Sequence, residues 1–209
     1  MDSRDASELI AELHEEKAEH AVADKFRDRA ALLIAFLAAV LAIGGLGGGN
    51  ATDDLLVNSI RTADTWAFYQ AKNIRQTMYE IAAKDLEGSL PSLAADARPA
   101  AEKRLAAYKA TVERYESEPD AEAPNDPLKG EGKKELRAQA QAYEAARDRA
   151  AEQDTNFDLA EVALQLALVL GSVAILALNR AILSLSVALG IIGSLLTANG
   201  FLLLVPLGI

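Results

Sequence analysis

The chain has 209 residues, 51% hydrophobic and 25% charged, with a formal net charge of −10 and no cysteine. Lacking thiols, it has no disulfides, no cysteine nucleophile and no cysteine-ligated metal, and its acidic balance offers nucleic acid no electrostatic footprint. The two high fractions coexist because they are segregated: residues 30–48, 162–178 and 181–209 contain no Asp, Glu, Lys or Arg.

Residues 1–29 carry 5 Lys/Arg against 9 Asp/Glu, a net −4. They predict an acidic amphipathic helix, free of Gly and Pro, with a narrow stripe of Ala6, Leu9, Ile10, Leu13, Ala21 and Val22. The negative charge argues against a membrane-surface role, so the stripe is expected to pack on another helix or another copy. Glu16, His20 and Asp24 share a face at four-residue spacing, which admits metal ligation but more often marks a solvated, charge-paired face; His14 lies off that face. No metal and no cofactor is expected.

At 1.5 Å per residue, a bilayer core of about 30 Å needs about 20 apolar residues. Residues 30–49 meet this as a first transmembrane helix. With 29 mixed-charge residues before it, the run reads as an uncleaved anchor rather than a signal peptide. It closes on Gly44, Gly45, Gly47, Gly48 and Gly49, which predict a helix end. No Gly-Lys-Ser/Thr follows and no strand precedes, so the cluster is not a phosphate loop. Residues 50–158, with 15 Lys/Arg and 21 Asp/Glu from residue 51 onward, read as an extramembrane helical region. Helices are expected at about 53–86, 100–116 and 134–154, forming a hairpin-like domain with a Pro- and Gly-bearing linker at 117–133. Thr52 before Asp53-Asp54 suggests a capped start for the first of these.

Within it Ile60, Ala67, Ile74 and Ile81 recur every seven residues, with Ala63, Ala71 and Met78 between, a coiled-coil-like seam. The adjacent run Trp66-Ala67-Phe68-Tyr69-Gln70-Ala71-Lys72-Asn73-Ile74-Arg75-Gln76 resembles the signature of a family of small bacterial membrane proteins of unknown function, domain of unknown function family 4337. The order of one span, a polar helical region and two further spans is similar too. The resemblance implies this topology and brings no activity with it. Trp66, Tyr69, Gln70, Lys72 and Arg75 are the candidate interaction surface, since aromatic and Arg residues are enriched in interface hot spots; ordinary packing of the helical hairpin is the competing reading.

Thr155 and Asp158 suggest a bend ahead of the second span, 159–178, and the third is expected at 181–205. Gly171, Ser186, Gly190 and Gly193 are candidate helix-packing positions, because small residues let helices approach closely in lipid. Gln165 and Asn199 are expected to hydrogen-bond between helices. The fold class is thus all-α, an integral membrane protein with three transmembrane helices. Near the span ends Lys17, Lys25, Arg27, Arg29 and Arg180 fall on one side and Arg61, Arg147 and Arg149 on the other. Five against three favours a cytoplasmic N-terminus and a periplasmic 51–158 in a bacterial inner membrane.

Two His on one helix, and neither a Gly-x-Ser-x-Gly elbow nor a His-Glu-x-x-His motif, argue against an enzyme. The spans hold no ionisable residue at their centres, where transporters keep theirs. The expectation is a non-enzymatic structural or interaction protein, a scaffold that self-associates as a homo-oligomer or joins a larger membrane complex, with the lipid bilayer as its other partner. An oligomeric channel or transport-accessory subunit is the alternative.

Overall fold

The computed structural model describes residues 3–206, with side chains from Leu13 onward except at 15, 18 and 19. Ala6, Leu9 and Ile10 of the N-terminal stripe therefore lie outside the described side chains, while Leu13 and Val22 are exposed. Among the described residues the fold is all-helical: α1 (Ser3–Ser89), a 3-10 turn (Leu90–Ser92), α2 (Arg98–Glu116), α3 (Lys133–Ala177) and α4 (Arg180–Leu202). Three of these, α1, α3 and α4, contain stretches long and apolar enough to cross a membrane.

The chain divides into two compact units, one of Met1–Thr52 with Ala150–Ile209 and one of Asp53–Arg149. In the first, Leu37, Leu164 and Ala167 form the core, flanked by Leu33, Val40, Leu41, Leu168 and Leu189. Small residues occupy the closest approaches. A Cβ on Gly190 would lie 2.7 Å from Leu37 Cδ2, and one on Gly193 2.6 Å from Leu164 Cγ. The large side chains face outward instead, with Leu32, Phe36, Leu46, Val169, Leu176 and Leu195 all exposed.

Two expected breaks are absent. The glycine cluster does not end a helix, and Thr52 does not cap one: α1 runs unbroken from residue 3 to 89. The glycines are held by packing, since a Cβ on Gly47 would meet the Phe157 and Phe201 rings at 2.6–2.7 Å. Thr52 Oγ1 donates within the helix to Gly48 O at 3.0 Å and across to Asp154 Oδ1 at 2.6 Å. Nor is α3 interrupted at Thr155–Asp158. There the Thr155 hydroxyl bonds back to Ala151 O at 2.9 Å, and Asn156 and Phe157 are buried against the rest of the first unit. Local capping chemistry loses in both places to tertiary contacts that only a continuous helix can supply.

The end of α4 also falls earlier than expected. Leu203 adopts a left-handed conformation, φ 49°, and Asn199 ties the exit by accepting from Val205 N at 2.9 Å and donating to Val205 O at 2.8 Å. Asn179 caps its start, accepting from Ala181 N and Ile182 N.

In the second unit α1 packs against α2 and the first part of α3. The segment expected as a plain linker, 117–133, is ordered by an isolated bridge between Pro119 and Gly130. The Glu131 N–H donates to Glu118 O at 2.9 Å. Gly130 sits at φ 117°, a conformation that glycine alone adopts freely.

Candidate interaction surface

The second unit is assembled from one face of α1. Trp66, Tyr69, Lys72 and Gln76 follow one another at three- and four-residue steps, so they share a side of the helix. Trp66 Nε1 donates to Glu144 Oε1 at 2.9 Å, and its ring meets Tyr69 edge-on at 5.4 Å between centroids. Tyr69 Oη accepts from Arg137 Nη2 at 2.8 Å, with Arg137 and Lys133 stacked near its ring.

Lys72 is only 5% exposed. Its ammonium donates to Glu118 Oε2 at 3.1 Å and to the Glu131 carbonyl. It also lies 5.5 Å from the Phe68 ring centroid and 5.7 Å from that of Tyr115. Gln76 Nε2 donates to Val112 O at 3.0 Å and Glu116 Oε2 at 3.1 Å, while Gln76 Oε1 accepts from Lys133 Nζ at 2.6 Å. The hydrogen bonds from Gln76 and Lys133 hold the Glu116 carboxyl below its ordinary value. Burial pushes Glu135 upward, but donation from Ser117 Oγ and backbone N–H groups outweighs it, and its carboxyl also ends below the ordinary value.

Three of the five candidate surface residues, Trp66, Tyr69 and Lys72, are therefore engaged within the unit. Gln70 and Arg75 are exposed. Arg75 borders a groove of about 470 Å³ with Met78, Tyr79, Tyr108 and Tyr115.

The seam lies on the other side of the same helix. Leu56, Ile60, Ala63, Ala67, Ala71, Ile74, Met78 and Ile81 are all exposed, with Ile60 at 53%, Ile74 at 57%, Met78 at 63% and Ile81 at 55%. The buried positions are Thr62, Lys72, Gln76 and Ala83. Thr62 and Gln76 each lie two residues beyond a seam isoleucine, about 200° around the helix. Over this stretch α1 hides polar side chains and displays apolar ones.

In the first unit the packing positions come together as the small-residue spacing implies. Gly171 faces Ile34 and Ser186, and a Cβ there would lie 3.0 Å from Ile34 Cγ1. Ser186, fully buried, donates to Ala167 O at 2.6 Å. Asn199 Nδ2 donates to Asn156 Oδ1 at 2.7 Å, an interhelical bond. Gln165 makes none among the described residues: it is exposed, and its amide donates to Glu161 Oε1 of its own helix at 2.7 Å.

Sequence reasoning passed over Asn156, Phe157, Glu118 and Glu135. A lone Asn beside Phe at the edge of an apolar run was a usable signal for the first two; nothing local marked the carboxylates. His20 Nε2 lies 3.9 Å from Glu16 Oε1 and Arg27 Nη1 3.5 Å from Asp24 Oδ1. Among the described residues no group of three His, Asp or Glu is placed to hold a metal ion.

Residues 26–203 match the family model described as domain of unknown function DUF4337. The chain belongs to this family. The DUF4337 match takes in the Trp66–Gln76 run and the apolar stretches of α1, α3 and α4. No curated protein and no solved structure matches the chain.

Proposed function

We propose that this chain is a non-enzymatic integral membrane protein that self-associates through the exposed seam of α1. The observation that carries the self-association is the inverted α1 face: a charge-free stripe from Leu56 to Ile81, exposed, opposite a buried polar face. Contiguous apolar patches of this kind mark interaction sites. The stripe suits a second copy of the same chain. Ile60 and Ala71 are 11 residues apart, three turns to within about 20°, so the seam stays on one side of a nearly straight helix. No charged side chain interrupts it, so in a parallel pair like residues meet without repulsion. Asp64 and Arg75 flank one edge and the uncharged Gln70 and Thr77 the other, so a parallel copy sets charge against hydrogen-bonding amide and hydroxyl.

Membrane insertion is supported by the outward-facing apolar surface of the first unit. Only 22–28% of the residues in each apolar window are buried, and water would penalise the remainder at roughly 25 cal/mol per Å². Lipid as solvent removes that penalty and leaves small residues to drive helix contact. The five-to-three Lys/Arg asymmetry supports a bacterial inner-membrane topology with the N-terminus in the cytoplasm and 51–158 in the periplasm. Alkaline phosphatase fused at residue 125 is expected to be active, and green fluorescent protein there dark. The channel alternative gains nothing from Gln165, whose amide is spent on its own helix.

Because the chain has no cysteine, single replacements report cleanly on the seam. Ile60→Cys, Ala67→Cys and Ile74→Cys, oxidised in native membranes, are expected to give disulfide-linked dimers, while Lys103→Cys on α2 is not. A strict monomer by native mass with no cross-link at any seam position overturns the self-association.

A further inference from the structure

At one end of the first unit, a cavity of about 480 Å³ gathers three cations from distant parts of the sequence: Lys25, Arg29 and Arg180. Val22, Phe26 and Leu183 form its apolar wall. The α1 contributors, residues 22, 25, 26 and 29, recur at one-turn spacing and so share a face. Asp24 and Asp28 lie about 150° and 110° away from that face at 100° per residue, and Asp24 is engaged with Arg27 at 3.5 Å. Among the described residues no carboxylate lies within 4.0 Å of Lys25, Arg29 or Arg180, which holds for many other cations of the chain too; what sets these three apart is that they converge on one cavity. Among the described residues, three like charges thus surround one hollow with no carboxylate in salt-bridge range of any of them.

We infer that this cavity binds a phosphate group carried on a hydrocarbon, the chemistry of an anionic phospholipid headgroup. Two guanidinium forks and an ammonium match a tetrahedral anion with several acceptor oxygens better than a single carboxylate. The α4 N-terminus does not do this alone, because Asn179 already takes the Ala181 and Ile182 N–H groups; the side chains must hold the anion. The wall of Val22, Phe26 and Leu183 offers the attached hydrocarbon a surface that a hydrated inorganic ion has no use for. Residues 30–52 of α1 and 181–202 of α4 are uncharged, so the cations stand where each apolar run begins, as a headgroup stands above acyl chains. Lipid as the source rests on the membrane reading; the phosphate chemistry rests on the three cations alone.

The test uses the full chain in a zwitterionic detergent, titrated with phosphatidylglycerol, phosphatidylcholine or inorganic phosphate, with binding read by native mass and by melting temperature. Phosphatidylglycerol is expected to bind and raise the melting temperature, and phosphatidylcholine to do neither. Lys25→Gln, Arg29→Gln and Arg180→Gln should each weaken binding roughly fivefold, the effect of about 1 kcal/mol per cation near an anionic lipid. Arg27→Gln, on the other face of α1, should leave it unchanged. The melting temperature without lipid shows whether each variant is folded, and Lys25→Gln alone, at an exposed position, suffices if the arginine variants are not. An equal shift from inorganic phosphate keeps the site and assigns it a soluble source. Equal binding of phosphatidylglycerol and phosphatidylcholine, or binding unchanged in a folded cation variant, overturns it. Should the chain prove soluble without detergent, the membrane reading fails while the phosphate arm still reports on the site.

Discussion

The two units of this chain sort their side chains in opposite ways. In the first, the interior is small and apolar: Ala163, Ala167, Ala174 and four glycines on α3 and α4 are buried while Leu176 and Leu195 face out. Bonds between its helices are few and specific, such as Ser186 to Ala167 and Asn199 to Asn156. In the second, the interior is polar and aromatic, built on Lys72, Gln76, Glu135 and Tyr79, whose ring meets those of Tyr108 and Tyr115 edge-on. Close backbone approach holds one unit together, and satisfied hydrogen bonds and ion pairs hold the other. The same helix, α1, contributes to both, so helical periodicity alone does not decide which rule applies. What decides is whether the neighbours are Ala and Gly or Glu, Tyr and Arg.

Removing the central cation of the second unit tests this contrast most severely. Lys72→Ala leaves Glu118 and the Glu131 carbonyl without their donor and frees the 117–133 segment from α1. A fully buried pair broken this way costs about 3–5 kcal/mol. Glu118 is 35% exposed, so solvent screens part of the loss and we expect about 2–3 kcal/mol. Trp66, the only tryptophan, reports on that unit, and its fluorescence transition in denaturant measures the change. Lys72→Met should recover little, because the Glu118 carboxylate keeps only the exposed Arg114 guanidinium at 3.8 Å. A variant as stable as the parent shows that the buried network is decoration.

The matching experiment on the first unit is overpacking. Gly193→Leu drives a side chain into Leu164 Cγ and the Ala160 carbonyl, 2.6 and 3.1 Å from the new Cβ, and should cost about 1–3 kcal/mol. Gly45→Leu meets nothing within 4 Å and should be nearly neutral. Thermal melts in detergent read both. Equal effects at the two glycines refute the claim that close approach, rather than bulk apolarity, holds this unit together.

The first unit was the more legible in sequence. Charge-free runs of 18 or more residues declare themselves, and the spacing of Ser186, Gly190 and Gly193 named the packing face before any contact was known. Its one hidden feature was continuity: Gly44–Gly49 and Thr52 read as a terminus because the rings that brace them, Phe157 and Phe201, are more than 100 residues away. In the second unit the helices were legible and their inward faces were not. Ile60, Ile74 and Ile81 have the period of a buried seam, so pattern assigns them to a core, but the structure gives that position to Thr62, Lys72 and Gln76. A polar face can win the interior only when complementary donors and acceptors arrive from elsewhere. Glu118, Glu131, Glu144 and Lys133 supply them to Lys72, Trp66 and Gln76, and nothing local to α1 announces any of the four; the buried Thr62 hydroxyl finds no partner among the described residues.

Acid should separate the two units most gently. Glu116 and Glu135 both hold their carboxyls below the ordinary value of 4.5, so each stabilises the folded second unit in its ionised form. That contribution is complete above about 4.5, where both folded and unfolded carboxyls are ionised. It declines as pH falls toward the depressed folded values, because the unfolded chain takes up protons first. Glu116 is largely solvent-exposed and contributes little; Glu135 is 5% exposed and carries most of the effect. The denaturant midpoint followed by Trp66 should therefore be flat from pH 7 to about 5 and fall below it. Glu135→Gln should lower the neutral plateau and flatten the acid slope, since a neutral amide accepts from Ser117 more weakly and does not titrate. Hydrogen exchange in α4, where no carboxylate lies along 180–202, should show no such acid step. A midpoint that rises on acidification reverses the assigned sign, and an acid step of equal size in α4 removes the distinction between the two interiors.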